Sequence, residues 1–385
     1  MKQSRRSESP PYAVDAVLKA LEVLEAFRGP DEVLPLAEMA RRAFLPKPTV
    51  FRLARTLAAR GYLARAGDGY RCLIRTPRRS RYRIGFAKQS DEFAFSRAVC
   101  ESIYQATRER DVDLLTLDNR YSPRFALRNV ERFIQERVDL AIEFQTDESV
   151  APVISSRFVD AGIPFIAVEI PHPGATYYGA NNYRAGLIGG RHLGQWARQH
   201  WNGEVDEVLL LELSMAGPVP RSRMTGTLAG IQEVLPGTQL RAHFLDGNGQ
   251  YAVSLEAARK YLKTTSAKRI LVGAMNDPSA IGALRAFEEA GRASSCAVVG
   301  QNAAVEGRAE LRRPNTRFIA SVAYFPERYG NAIISLAIDI LQGRPVPPAM
   351  FAGNKLLTAA NVDQYYPDDA FLSVAESEEL MLCSR

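Results

Sequence analysis

The sequence predicts an α/β protein in two parts. A small basic N-terminal module of three helices and a β-hairpin precedes a two-lobed body of parallel sheets flanked by helices. Three observations lead there. The chain has 385 residues, more than one ordinary core can hold. Its net charge of +6 is uneven, with 18 Lys+Arg against 8 Asp+Glu in residues 1–83, and 31 against 35 in the rest. Near residue 83 the hydrophobic spacing changes from helical repeats to alternating strand and helix patterns.

Composition removes several classes. At 46% hydrophobic and 24% charged, the chain is an ordinary globular protein and not a disordered one. The start, MKQSRRSESPPYAVDAV, lacks the apolar stretch of a secretory signal, and no run of about 18 apolar residues is long enough to span a membrane. A cytoplasmic location is expected. Cys72, Cys100, Cys296 and Cys383 lie far apart, and His172, His192, His200 and His243 form no ligand spacing. Neither a metal nor a cofactor is expected.

Beyond a polar leader (1–11), Val14, Val17, Leu18, Leu21, Leu24 and Phe27 recur at helical spacing, and Gly29-Pro30 ends that helix. Leu36–Ala43 forms a second helix, Phe44-Leu45-Pro46 a tight turn, and Pro48–Arg60 a third helix. Pro48 suits the first helical position, where an amide N–H has no partner to lose. Val50, Leu53, Ala54 and Leu57 face inward, and Lys47, Thr49, Arg52 and Arg55 lie on the opposite side. Tyr62–Arg65 and Tyr70–Leu73 flank the hairpin signal Ala66-Gly67-Asp68-Gly69. This order is the plan of a winged helix-turn-helix over 12–73. A cationic third helix suits the major groove, where Arg and Lys read guanine edges and Thr meets thymine methyls. Arg65 and Arg71 on the wing would reach phosphates. The competing reading is a three-helix packing module whose arginines only solvate a face.

The wording of the segment is more specific. Ala20–Phe27, Leu36–Arg42, Leu45-Pro46-Lys47-Pro48-Thr49-Val50-Phe51-Arg52-Leu53 and Leu57-Ala58-Ala59-Arg60-Gly61-Tyr62-Leu63 together resemble the DNA-binding domain of IclR-type transcription regulators. Pro48 departs from that pattern, which usually has a capping Ser there. The resemblance implies operator DNA as a partner.

Residues 74–82, with Arg75, Arg78, Arg79 and Arg81, read as a basic linker. From 83 the pattern alternates. Strands are expected at Ile84–Ala87, Val112–Leu117, Leu140–Phe144, Pro164–Val168, Val208–Leu213, Arg241–Leu245, Ile270–Val272, Ala297–Val299 and Phe318–Ala323, each followed by a helical segment. There is no GxGxxG after a strand, no GxxxxGK[ST] and no GxSxG. Gly186-Leu187-Ile188-Gly189-Gly190 falls within a helical stretch, where glycine serves close packing. Polar and aromatic residues instead gather at strand carboxyl ends, where open α/β sheets bind ligands. These are Gln89, Phe93 and Phe95, then Asp147, Glu169, Arg223, Asp246, Asn276, Asn302 and Tyr324. Such groups suit a hydroxylated ligand with an apolar ring face.

The stretches Ala161-Gly162-Ile163-Pro164-Phe165-Ile166, Gly179–Gly186 and Asn276-Asp277-Pro278-Ser279-Ala280 look like the periplasmic binding protein type I fold, with ribose-type binding proteins and LacI-type effector domains as relatives. The resemblance spans 83–360 and implies two lobes closing on a sugar. It gives Arg223, followed by Gly226, the role of clamping hydroxyls, matches Asn276, and has Phe93 and Phe95 stack on the ring. Gln301-Asn302, Tyr324 and Glu169 depart from the pattern and leave the particular sugar open. Lobe 1 is expected to hold 83–169 and 326–346, and lobe 2 to hold 170–325 and 347–360. The whole predicts a homodimeric, non-enzymatic DNA-binding regulator controlled by a small effector, a carbohydrate. A solute receptor for a sugar transporter and a sugar-acting enzyme are the rival readings.

Overall fold

The computed structural model describes residues 14–27, 32–73, 82–108, 110 and 112–369. The leader, Gly29-Pro30, linker residues 74–81 and Cys383 lie outside the described residues. The chain divides into two compact units, residues 1–81 and 82–385.

The first unit orders α1 (Asp15–Glu25), β1 (Val33–Pro35), α2 (Leu36–Arg42), α3 (Lys47–Ala59), β2 (Leu63–Ala66) and β3 (Gly69–Cys72). Val23, Leu24, Met39, Val50, Ala54 and Leu57 build its core. Only the last turns of α1 are buried; Val14, Val17 and Leu21, read as core from their spacing, are exposed. Spacing identifies a helix but not how far its neighbours extend along it. The wing is three-stranded in the order β1-β3-β2, with β1 antiparallel to β3. β1 is three residues ending in Pro35, too short to show an alternating pattern. α3 starts at Lys47, so Pro48 is its second residue, and Pro46 precedes it without a side-chain cap.

In the second unit, lobe 1 is a six-stranded parallel sheet in the order β14-β8-β7-β6-β4-β5. Its strands are β4 (Tyr82–Lys88), β5 (Val112–Asp118), β6 (Leu140–Glu143), β7 (Phe165–Val168), β8 (Thr176–Ala180) and β14 (Ala349–Ala352). α4 (Ala94–Arg108), α5 (Pro123–Gln135), α6 (Ala151–Asp160) and α12 (Tyr329–Leu341) belong to it. Lobe 2 orders its sheet β10-β9-β11-β12-β13-β15, parallel except for β15. It comprises α7 (Asn182–Trp201), β9 (Glu207–Glu212), α8 (Pro218–Val234), β10 (Ala242–Asp246), α9 (Tyr251–Leu262), β11 (Ile270–Ala274), α10 (Asp277–Glu289), β12 (Cys296–Asn302), α11 (Val305–Arg312), β13 (Phe318–Ala323), β15 (Lys355–Leu357) and α13 (Val362–Tyr365).

Central strands such as β9 and β11 are buried on both faces, as parallel sheets require, so Val208–Leu211 of β9 and the whole of β11 run without a polar side chain. Two lobe boundaries differ from the sequence expectation. β8 pairs with β7 and β14 pairs with β8, so 176–180 and 349–352 belong to lobe 1. The first crossover therefore follows Ala180, not residue 169, and the last falls between β14 and β15, not at 346. Both strands are short and lie at one side of the sheet, and nothing local ties them to a lobe. Arg83, expected at the linker's edge, is inside β4, with its backbone N–H on Asp139 Oδ2 at 2.8 Å and its guanidinium on Glu136 at 3.0 Å.

Candidate functional site

Each unit carries a candidate surface. On the first, Lys47, Arg52 and Arg55 stand exposed along α3, Thr49 is half-buried, and Arg65 and Arg71 are exposed on the wing. Among the described residues none of these five cations has an ion pair; Arg55 packs over the Phe51 ring at 5.8 Å. Arg41 and Arg42 of α2 differ, because both are bound to Glu38, and Arg42 also reaches Glu32 at 2.9 Å. The module neutralises one pair of arginines internally and leaves the α3 and wing cations with their charge unmatched. That is the electrostatic footprint of a polyanion reader.

In the second unit, the carboxyl ends of the parallel strands of both lobes face one cleft of about 300 Å³. Lobe 1 contributes Gln89, Phe93 and Phe95 after β4, Tyr121 after β5, Phe144 and Thr146 after β6, and Glu169 after β7. Lobe 2 contributes Met215 and Arg223 from β9 and α8, Asn248 and Gln250 before α9, Asn276 before α10, and Asn302 and Glu306 around the start of α11.

Arg223 is 5% exposed and firmly held. Its Nε and Nη2 donate to Asn182 Oδ1 at 3.0 and 2.6 Å, and Nη1 donates to the Met275 carbonyl. Its Cζ lies 5.0 Å from the Tyr324 ring centroid. A guanidinium has five N–H groups, so three such bonds leave two for a ligand. Close packing of α7 on α8 sets this geometry. A Cβ on Gly186 or Gly190 would strike the carbonyls of Arg223 and Thr227, and one on Gly226 would strike that of Tyr183. Glycines allow that approach, which brings Asn182 of α7 to Arg223 of α8.

Glu169 sits at φ +64°, and its Oε1 accepts from Tyr329 Oη at 2.6 Å and from the Ala180 N–H at 3.2 Å. Burial pushes this carboxyl above the ordinary range, opposed by the charge of Arg223 and these two donors. Tyr329 is wedged edge-on between Tyr178 and Phe95, with ring centroids 5.0 and 6.0 Å away. Phe93 and Tyr121 meet at 4.9 Å and 70°, and burial pushes the Tyr121 hydroxyl up to about 12. Asn276 caps α10, accepting from the Ser279 N–H at 3.0 Å while its Nδ2 donates to Gly249 O at 2.8 Å.

Seven of the ten ligand residues read from the sequence line this cleft: Gln89, Phe93, Phe95, Glu169, Arg223, Asn276 and Asn302. Three do not. Asp147 caps the turn Glu148–Val150, accepting from the Ser149 N–H at 2.9 Å. Asp246 is exposed at the end of the outermost strand β10 and accepts from the Asn248 N–H. Tyr324 is buried behind Arg223 and donates to Gln301 Oε1 at 2.5 Å. Proximity to a strand end identified candidates, but short Asp side chains there more often cap the backbone. Tyr121, Met215, Asn248, Gln250, Glu306 and the Arg223 partner Asn182 were missed. Tyr121, two residues beyond Asn119 at φ +54°, carried no pattern signal at all.

Two lobes with strand ends around a shared cleft define a class: two-lobed α/β ligand-binding proteins. The chain belongs to the periplasmic binding protein domain family, whose profile matches residues 84–345, and it carries an IclR helix-turn-helix domain at residues 16–67. A search of curated proteins finds no match. Solved structures share the fold. A solute-binding protein of an ABC transporter from Mycobacterium smegmatis with bound glycerol is 19% identical, with a TM-score of 0.66, covering 74% of this chain and 96% of its own. One from Actinobacillus succinogenes with bound D-allose is 18% identical at 0.65, covering 74% and 100%. One from Bacillus halodurans with bound myo-inositol is 20% identical at 0.64, covering 75% and 99%.

Proposed function

We propose that this chain is a ligand-responsive transcription regulator. Its N-terminal module binds operator DNA, and its body binds a small polar molecule, a carbohydrate or polyol, between the two lobes. The observation that carries this reading is the coexistence of an unmatched cationic helix face on one unit with a ligand-sized polar and aromatic cleft on the other. The ligands bound in the related structures, D-allose and myo-inositol among them, favour hydroxyl-rich molecules for a cleft of this lining. The protein acts in the cytoplasm as a homodimer, because winged readers of this kind meet two half-sites on a duplex. Ligand shifts the balance between open and closed lobes and thereby changes DNA affinity.

The test combines a thermal-shift screen over sugars, polyols and sugar acids with selection of bound duplexes from a random DNA library, with and without the stabilising compound. Saturating ligand at about 100 times its Kd should stabilise by about 2.7 kcal/mol. A selected consensus whose affinity changes with that compound supports the regulator. Ligand binding with no sequence-selective DNA retention would favour the transport-receptor reading instead, and chemical conversion of a labelled sugar would overturn the binder in favour of an enzyme.

A further inference from the structure

The cleft is electrically unbalanced. Three carboxylates line it, Glu92, Glu169 and Glu306, against a single cation, Arg223, and no Lys or His is among the lining residues. Arg223 is already committed: Asn182 and the Met275 carbonyl take three of its N–H groups, and its charge acts on Glu169. Glu92 and Glu306 have no ion pair and no hydrogen bond through their carboxylates among the described residues. They come from opposite lobes, Glu92 just ahead of α4 and Glu306 in the first turn of α11. Each placement alone is explained by the favourable field of a helix N-terminus. Their convergence on one cleft is not, because lobe closure brings two like charges toward the same ligand.

The aromatic wall adds an independent preference. Phe93 and Tyr121 meet nearly at right angles beside Glu92, and ring faces attract a cation as well as the apolar face of a sugar. An anionic ligand would find the opposite: no free lysine or histidine, a guanidinium with most of its donors occupied, and two unmatched carboxylates.

We infer that the ligand of this cleft carries a protonated amino group, as in an amino sugar or amino polyol, and is not a sugar acid or sugar phosphate. The inference rests on the reading that the cleft holds a hydroxylated ligand. The ammonium is held between Glu92 and Glu306, and the hydroxyls meet Arg223, Asn276 and Asn302.

Calorimetric titration of the full chain tests this with three matched sets: glucosamine, galactosamine and mannosamine; glucose, galactose and mannose; and the corresponding uronic acids. At least one amino sugar should bind about tenfold tighter than its neutral parent, the effect of one partly enclosed charge pair, and the uronic acids should bind most weakly. In E92Q/E306Q that preference should fall toward unity, and in the wild type it should shrink as salt rises. A neutral hexose or a uronic acid binding as tightly as its amino counterpart overturns the inference and leaves the carbohydrate reading standing. No binding by any of the nine also overturns it, and the carbohydrate reading then falls only if the broader screen of sugars and polyols is negative too.

Discussion

Arg223 ties α8 to α7 and to the residue after β11 while lining the cleft. Truncating it leaves Asn182 Oδ1 and the Met275 carbonyl without their donors, and unsatisfied buried acceptors cost about 1–3 kcal/mol each. R223A should therefore lose the ligand-induced thermal shift and also lower the melting temperature of the ligand-free protein, both read from one denaturation series. Glu143 is a second residue with a measurable signature. It is fully buried in lobe 1, with Oε1 accepting from Asn119 Nδ2 at 2.8 Å and Oε2 without a partner, and burial pushes its carboxyl up to about 8. A raised acid binds its proton more tightly folded than unfolded, so its contribution is full below about 4.5 and is lost as pH rises toward 8. E143Q removes that titration. Between pH 5 and pH 8 it should gain on the wild type by about 3–4 kcal/mol in denaturant unfolding; parallel pH profiles for the two proteins would refute this. Such a role was not visible in the sequence, where Leu140–Phe144 read only as an apolar strand interrupted by one acid. Whether that acid faces a ligand, solvent or Asn119 depends on the layer packed over it.

At the scale of elements, α7 and α8 act as one part because small residues let their backbones approach. A Cβ on Gly190 would meet the Thr227 carbonyl, and neither backbone can yield locally. G190A should cost about 1–3 kcal/mol by overpacking and weaken ligand binding, since any separation of the helices draws Asn182 from Arg223. Calorimetry with the ligand found in the screen would show both; unchanged affinity would mean that the helix spacing does not set the clamp. The glycine run was legible as packing, and the structure gives that reading a partner. The short strands β1, β8, β14 and β15 were not legible. Three to five residues bury too little to impose a period of two, and their state is decided by the sheet they extend.

At the scale of the molecule, the two units have separate cores. Val23, Met39, Val50 and Leu57 close one, and Ile84, Phe86, Val99 and Tyr329 belong to another. A fragment of residues 82–385 should fold alone and bind ligand with the affinity of the full chain while losing operator binding. A fragment that is soluble but unable to bind ligand would show that the head completes the site. In the full chain, R52A and R55A should each weaken operator binding by about 1–3 kcal/mol if they contact bases, and relax sequence preference at the positions read. Loss of affinity with unchanged preference and a shallower salt slope would reassign them to phosphates.

By itself, the sequence determined the two-part plan, the uneven charge and the identity of most long helices and central strands, and of the ten ligand residues it proposed seven line the cleft. Those features are local or periodic: a buried parallel strand is apolar wherever it sits, and a reading helix keeps its cations on one side. Tertiary structure alone decided which lobe owns β8 and β14, that Asp147 and Asp246 serve backbone caps while Tyr324 backs Arg223, and that Glu92 and Glu306 line one cleft from opposite lobes. Each of these is a relation between segments distant in the chain, set by sheet pairing and lobe approach, and spacing along the chain does not encode it.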